Sequence, residues 1–410
     1  MTNRYACVTC GRTVDADTVV YLCPSCSREP VDLSGFPRGC LSVVFTHASA
    51  GRAGDEAEVQ SFLPLTLRRG ASFPVGNTPM VAPLRLRKKT GLTGLWLKND
   101  TLNMSGSLKD RASLLVAEQA LAQGQTRVVL ASTGNAGASM ACVGAAYELE
   151  VILFVPAAAP RAKLLQSLLF GAKVVPVQGT YDDAFALSIS WTTAFGGINR
   201  NTAFNPFTVE GKKTVSLEIY NQAGCKVPDV VYVPTGDGVI FSGACKGFAD
   251  ILQAGLADRL PVMVAVQAEG SNAIARSARE GRETVIAETS TIADSLSVCR
   301  PAAGAMALGY LRRFKGRAVE VTDAEISAAQ AELARDAGLF VEPSSAAAWA
   351  GLLKDRPNLE PGARVVVLLT GTGFKDTAAA EKLVSMPAPC APDLQSAARL
   401  LADEYGVRAG

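Results

Sequence analysis

Apolar residues in this chain gather in short runs, separated by longer stretches in which they recur at helical spacing. Arg127–Leu130, Val151–Val155, Lys173–Val177, Val230–Val233 and Arg364–Leu369 are dominated by valine, leucine and isoleucine with little polar alternation. Such runs mark strands buried on both faces, as in parallel sheets. Trp96–Asn99 reads as one more strand, Arg161–Gln166 as a helix start, and Ala138–Ala146 and Val239–Phe248 as buried helices. Alternating strands and helices predict an α/β protein with parallel sheets, helices on both faces, and two lobes. Residues from about 27 to 75 keep neither period and are expected to be irregular, with Gly51–Asp55 an exposed loop and Gly76–Met80 opening the main body. Beyond about residue 378 an Ala/Pro stretch precedes a short helix.

The chemistry-bearing residues stand where strands end. After Trp96–Asn99 comes Asn103–Arg111 (NMSGSLKDR), which sets Lys109 between a small-residue turn and the charged start of a helix. After Arg127–Leu130 comes Ala131–Gly137 (ASTGNAG), and after Val230–Val233 comes Pro234–Gly238 (PTGDG). Each is a glycine-bearing turn opening a helix, a geometry that offers backbone N–H groups to an anion. The last strand runs into Thr370–Asp376 (TGTGFKD), and Phe340–Ala346 (FVEPSSA) follows a helical stretch. Any one of these is weak, and a lone lysine opening a helix is commonly a solvated surface residue.

Together, in this order, they resemble the fold-type II pyridoxal phosphate (PLP) enzymes, and within them the threonine synthase branch. The lysine turn is similar to that branch's N-P-T-G-S-F-K-D-R, Thr370–Asp376 to T-G-x-G-L-K-D, and Asn205–Thr214 (NPFTVEGKKT) to N-P-x-R-x-E-G-Q-K-T. The resemblance implies that Lys109 anchors the cofactor and serves as general base. It implies that Ser132, Thr133, Gly134, Asn135 and Ala136 hold the substrate carboxylate, with Asn135 also touching the cofactor ring oxygen. Gly236, Asp237, Gly238, Val239 and Ile240 would grip the cofactor phosphate, and Thr370 would approach the pyridine nitrogen. Ser107 and Asn205 are further substrate-binding candidates. A smaller lobe, roughly residues 112–205, is implied to sit inserted in a larger one, with the cofactor between them.

The implied reaction removes a β-proton, eliminates phosphate from O-phosphohomoserine and adds water to give threonine. It needs an anion site for the leaving phosphate, with Ser107, Lys163, Asn205, Lys212 and Arg111 as candidates. The chain departs from the family pattern at Met104, Ser105 and Leu108, at Asp237 where asparagine is more usual, and at Thr208 where many relatives carry arginine. An arginine forks onto phosphate with two charge-assisted bonds, and a threonine cannot reproduce that. A carboxylate beside a phosphate is unfavourable, so Asp237 is expected to face solvent or cap the helix. An alternative therefore stays open: a β-replacement or β-elimination enzyme acting on phosphoserine, serine or a related amino acid in specialised metabolism. A non-catalytic PLP-binding protein is the third reading, and the intact Lys109 argues against it.

Composition narrows the remaining classes. The 410 residues exceed the usual size of one core, and 40 basic against 38 acidic side chains give no electrostatic reason to expect a nucleic-acid or membrane partner. No apolar run approaches the length of a membrane span, and the first residues lack a secretory h-region, so a cytoplasmic enzyme is expected. The single histidine, His47, lies in the irregular region and is expected to be a surface residue. Of ten cysteines, Cys7, Cys10, Cys23 and Cys26 form two C-x-x-C knuckles, the spacing of a structural zinc site in a segment too poor in large apolar residues to fold on a core. Residues 1–30 are read as this zinc knuckle, 31–378 as the catalytic body and 379–410 as a tail. Small-molecule amino-acid substrates and a homodimer are the expected partners.

Overall fold

A computed structural model describes residues 3–18, 20–28, 33–44, 52–69 and 73–407. His47 and Gly51 lie outside them. The chain divides into two compact units, Met1–Lys375 and Asp376–Gly410. The second contains α12 (Thr377–Glu381) and α13 (Leu394–Tyr405), the latter capped by Asp393, whose carboxylate accepts the Ser396 N–H at 2.8 Å.

The first unit opens with three antiparallel strands, β1 (Asn3–Cys7), β2 (Thr13–Ala16) and β3 (Leu41–Val43), in the order β2-β1-β3. β3 falls within the stretch expected to be irregular. Three residues are too short for any period to show, and β3 is fixed by pairing with β1 across more than thirty positions of sequence.

Next come β4 (Met80–Val81), α1 (Leu84–Thr90), β5 (Gly94–Asn99) and α2 (Lys109–Ala122). The chain then builds β6 (Arg127–Ala131), α3 (Asn135–Tyr147), β7 (Glu150–Pro156), α4 (Arg161–Leu169), β8 (Lys173–Val177), α5 (Tyr181–Phe195) and β9 (Ile198–Asn199). These strands form a four-stranded parallel sheet, β8-β7-β6-β9. After α6 (Phe207–Gln222) come β10 (Val230–Pro234), α7 (Val239–Gln253), β11 (Val262–Ala268), α8 (Ala273–Glu280), α9 (Gly304–Arg313), β12 (Arg317–Val321), α10 (Asp323–Ala337), α11 (Pro343–Asp355) and β13 (Arg364–Leu369). The second sheet runs β12-β11-β10-β13-β5-β4, parallel except for the edge strand β4.

β10 shows why the apolar runs become central strands. Side chains alternate between sheet faces, so Val231 and Val233 join a core with Phe241 and Phe248 of α7 and Leu217 and Ile219 of α6. Val230 and Tyr232 point the other way, into a core with Ile326 and Leu333 of α10 and Trp349 of α11. Both faces are covered, so a polar residue at either would be stranded. The flanking helices carry matching start signals: Thr180 and Thr322 form capping boxes with Asp183 and Glu325, and Pro343 occupies the first turn of α11.

Because the strands within each lobe run parallel, their carboxyl ends gather on one side. The lysine turn follows β5, the ASTGNAG loop follows β6, the PTGDG loop follows β10 and Thr370 follows β13. Ligands of open α/β sheets bind at that side.

Candidate active site

Lys109 is positioned by backbone pairing between two strand exits. Ser107 bridges Gly371, the Leu108 N–H donates to the Thr370 carbonyl at 2.8 Å, and the Thr372 N–H donates to the Gly106 carbonyl at 3.0 Å. This sets Lys109 beside Thr370, though 261 residues of sequence separate them. Both line one cleft with Asn135, Gly236, Asp237, Ile240, Ser295, Leu296 and Glu342. Burial lowers the Lys109 pKa below that of an ordinary lysine and the charge of Arg200 pushes the same way, while Asp237 and Glu342 oppose them.

Across the cleft, the Ser132 hydroxyl accepts the Gly134 and Gly137 N–H groups at 3.2 and 3.1 Å, tightening the turn into α3. Thr133, Gly134 and Ala136 are partly exposed at that turn. Asn135 donates from Nδ2 to both carboxylate oxygens of Glu342, each at 3.0 Å. Glu342 in turn is tied by its N–H to the Gly371 carbonyl at 3.0 Å, and burial raises its pKa above the usual carboxylate range. Phe340–Ala346 stood out in the sequence, but nothing there showed that its glutamate reaches Asn135.

The PTGDG loop crosses the foot of α7. A Cβ on Gly236 would lie 2.9 Å from the Ser295 carbonyl oxygen, and Gly238, at φ +87°, would set one 2.9 Å from the Ala303 carbonyl oxygen. No other residue type fits this turn without moving backbone. Val239 is buried against Ala303 and Met306, while Ile240 faces the cleft. The Asp237 carboxylate accepts the N–H of Val239, the first residue of α7, at 3.0 Å, although Asp237 also lines the cleft and Gly238 is the N-cap residue.

Of the residues considered for a leaving phosphate, several are engaged elsewhere. Arg111 is held by Asp100 (2.6 Å), Glu218 (2.6 Å) and Thr214 (2.9 Å) in a buried ion cluster with Lys98. Asn205 donates to the Gln119 side chain and the Asn199 carbonyl, both at 2.8 Å, and accepts the Phe207 N–H at 2.9 Å. Lys163 pairs with Asp294 at 2.8 Å on a partly exposed side chain. The Thr208 hydroxyl donates to the Asn205 carbonyl at 2.7 Å. Buried Ser107 Oγ and Lys212 Nζ have no hydrogen-bond partner among the described residues. Ser295 and Leu296 line the cleft from a segment with no distinctive pattern, and Arg200, fully buried, follows directly after β9. Position just past a parallel strand is the one signal that could have singled Arg200 out.

The residues present suit PLP: a cleft lysine whose pKa is lowered by burial, a glycine turn at a helix N-terminus for a phosphate, and a neutral threonine hydroxyl at the last strand exit. The four knuckle sulfurs lie within 4.8 Å of one another. A tetrahedral thiolate site with bonds of about 2.3 Å would hold its sulfurs about 3.8 Å apart, and the Cys7–Cys26 and Cys10–Cys23 separations are both 3.8 Å. None of the four cysteines lines the cleft, and between the two C-x-x-C turns the Tyr21 hydroxyl accepts the Asn199 N–H at 2.8 Å while its ring stacks on Phe204 at 4.7 Å. Among the described residues no helix is long and apolar enough to cross a membrane.

Residues 71–371 match the family model described as pyridoxal-phosphate dependent enzyme. The threonine synthase of Methanosarcina acetivorans is 34% identical over 90% of this chain and 91% of its own. That of Methanocaldococcus jannaschii is 32% identical over 96% and 98%, and that of Mycobacterium bovis 36% identical over 78% and 87%. Among solved structures, threonine deaminase isoform 2 of Solanum lycopersicum superposes with a TM-score of 0.66 at 19% identity over 90% of this chain and 96% of that one. Escherichia coli diaminopropionate ammonia lyase does so with a TM-score of 0.68 at 17% identity over 82% and 96%; at such identities these two show the fold alone. The chain therefore belongs to the fold-type II pyridoxal-phosphate dependent enzymes, and is a lyase of the threonine synthase-like kind.

Proposed function

We propose that this enzyme converts O-phosphohomoserine and water to threonine and phosphate. The observation that carries the reading is the convergence of Lys109, Thr370, Asn135 and the Gly236–Ile240 turn on one cleft, in a chain alignable over nine tenths of its length with a threonine synthase. When bound, the cofactor would supply the electron sink for charge developing on the substrate. Lys109 would hold it and, once released, move protons at the substrate carbons, its pKa lowered by burial in the direction that favours a base. The foot of α3, from Ser132 to Ala136, would bind the α-carboxylate through backbone N–H groups. Glu342 would keep the Asn135 amide turned toward the cofactor ring oxygen, and Thr370 would meet the ring nitrogen with a hydroxyl that imposes no charge. Ser107 would add a polar contact to substrate, while Asn205 would brace the segment behind it.

Incubating the holoenzyme with O-phosphohomoserine is expected to release phosphate and threonine in equal amounts. Release of neither would sink this substrate. One observation favours a second reading: the Thr208 hydroxyl is turned into its own loop, leaving no charge where many relatives have arginine. A β-replacement or β-elimination on phosphoserine or serine would instead yield pyruvate, ammonia or an adduct of an added nucleophile.

For the knuckle we propose a structural zinc held by Cys7, Cys10, Cys23 and Cys26. Elemental analysis is expected to find one zinc per chain. In Cys10→Ser, zinc content and melting temperature should fall together while the folded fraction keeps its kcat; loss of kcat with the fold intact would point to a catalytic metal. The reading carries a homodimer in the cytoplasm, serving amino-acid biosynthesis, and a monomer by light scattering would count against the assembly.

A further inference from the structure

Two cations near the cleft have less company than burial demands. Lys212 is fully buried on α6, and its Nζ has no hydrogen-bond partner among the described residues. The next residue, Lys213, is equally buried but pairs with Glu210 at 2.5 Å and Asp250 at 2.8 Å. The stem of Lys212 runs along the first turns of α7: a Cβ on Gly243 would fall 2.7 Å from the Lys212 Cβ. Arg200 is fully buried as well. Its Nε reaches Ser113 at 3.3 Å and its Nη1 reaches Thr202 at 3.0 Å, while Nη2 has no partner.

The two cations share one electrostatic neighbourhood. Both reach the first turns of α2 near Lys109: the Ser113 partner of Arg200 is one turn beyond that lysine, and a Cβ on Gly211, next to Lys212, would run into the Arg111 carbonyl oxygen. Burial is the largest influence on each and lowers both pKa values; the charges of Lys109 and Arg200 add to it at Lys212 and Asp237 opposes it, while Asp237, Tyr181 and Asp110 oppose it at Arg200. The Tyr181 hydroxyl donates to the Ala131 carbonyl at 3.3 Å, beside the loop read as the substrate carboxylate site. Asp237 is the carboxylate that acts on both, and its Oδ1 already accepts from α7. Leaving a buried cation without a partner costs several kcal/mol, so positions that keep one commonly await a ligand. A phosphate-type group brings two charges and several acceptor oxygens to such a place.

We propose that Arg200 and Lys212 form an oxyanion seat beside Lys109, distinct from the backbone turn at Gly236–Ile240, that holds the phosphate-type group at the far end of the amino-acid substrate. This rests on the threonine synthase-like reading and deepens it. The charge missing at Thr208 is supplied from two other places, the exit of β9 and the body of α6. Asp237 then sets the balance of the seat, rejecting weaker anions that two uncompensated cations would retain.

The test uses holoenzyme, whose cofactor phosphate already fills the backbone turn, with inorganic phosphate as the titrated probe. Wild-type holoenzyme is expected to bind phosphate, and Lys212→Gln and Arg200→Gln should each weaken that binding by about tenfold or more while the apoprotein's PLP affinity changes by less than about threefold. Asp237→Asn should tighten phosphate binding. With O-phosphohomoserine the first two variants should raise KM more than they lower kcat. Unchanged phosphate affinity in the folded variants would overturn the seat. So would a parallel loss of PLP affinity, which would assign both cations to the cofactor. Should Arg200→Gln not fold, Lys212→Gln and Asp237→Asn carry the test between them. Phosphate binding that responds as expected, in an enzyme that leaves O-phosphohomoserine untouched, would keep the seat and reject the substrate.

Discussion

Replacing Lys109 with alanine is expected to lower turnover on the order of 10^4-fold, the upper range for removal of a general acid–base group. The expectation follows from where the lysine sits. The turn just before it, Gly106–Leu108, is stitched to the exit of β13, which sets Lys109 at the cleft, and no other lysine lines that cleft among the described residues. The variant should lose the visible absorbance of a lysine-bound cofactor while keeping its fold, since Lys109 itself carries none of the pairing that anchors α2. Turnover reduced only a few-fold would mean that another group moves the proton.

The second large effect is on stability. Arg111, half a turn beyond Lys109 on α2, joins Asp100 at the exit of β5 to Glu218 on α6. Lys98 adds a 2.7 Å contact to Glu218, and Thr78 donates to Asp100 at 2.6 Å. Arg111→Met would leave two buried carboxylates with a single cation, and removing one partner of such a cluster costs about 3–5 kcal/mol. Denaturant unfolding should show it, and Arg111→Lys should recover little because one ammonium cannot fork onto both carboxylates. Burial alone would raise the Glu218 pKa, but Arg111 and Lys98 override it and hold the carboxyl at about 2. A depressed carboxylate stabilises the fold above the ordinary carboxylate range and loses that contribution as pH falls toward 2. The stability gap between wild type and Arg111→Met should therefore narrow over that acid window. A gap that stays constant, or a cost near zero, would show the cluster to be incidental.

What the sequence disclosed of this site was its local part. Lys109, Asn135, the Gly236 turn and Thr370 each sit in a strand, glycine turn and helix start that span fewer than a dozen residues, and the Cys7 to Cys26 spacing is self-contained. The fold class was legible for the same reason, since doubly buried strands cannot hide their apolar runs. Relations between distant segments were not. Glu342 reaches Asn135 across 207 positions, β13 inserts between β10 and β5 although it is last in sequence, and β3 exists because β1 is there to pair with it. Arg200 looked like one arginine among many until its burial and its missing partner became visible. Arg111 shows the reverse: a cation next to the lysine invites a role with phosphate, yet its N–H groups close an internal cluster.

The most direct test of the account is to reduce the PLP-loaded enzyme with borohydride and map the modified peptide by mass spectrometry. The account predicts a single pyridoxyl adduct on Lys109. An adduct on another lysine, Lys212 above all, or no adduct at all, would contradict it.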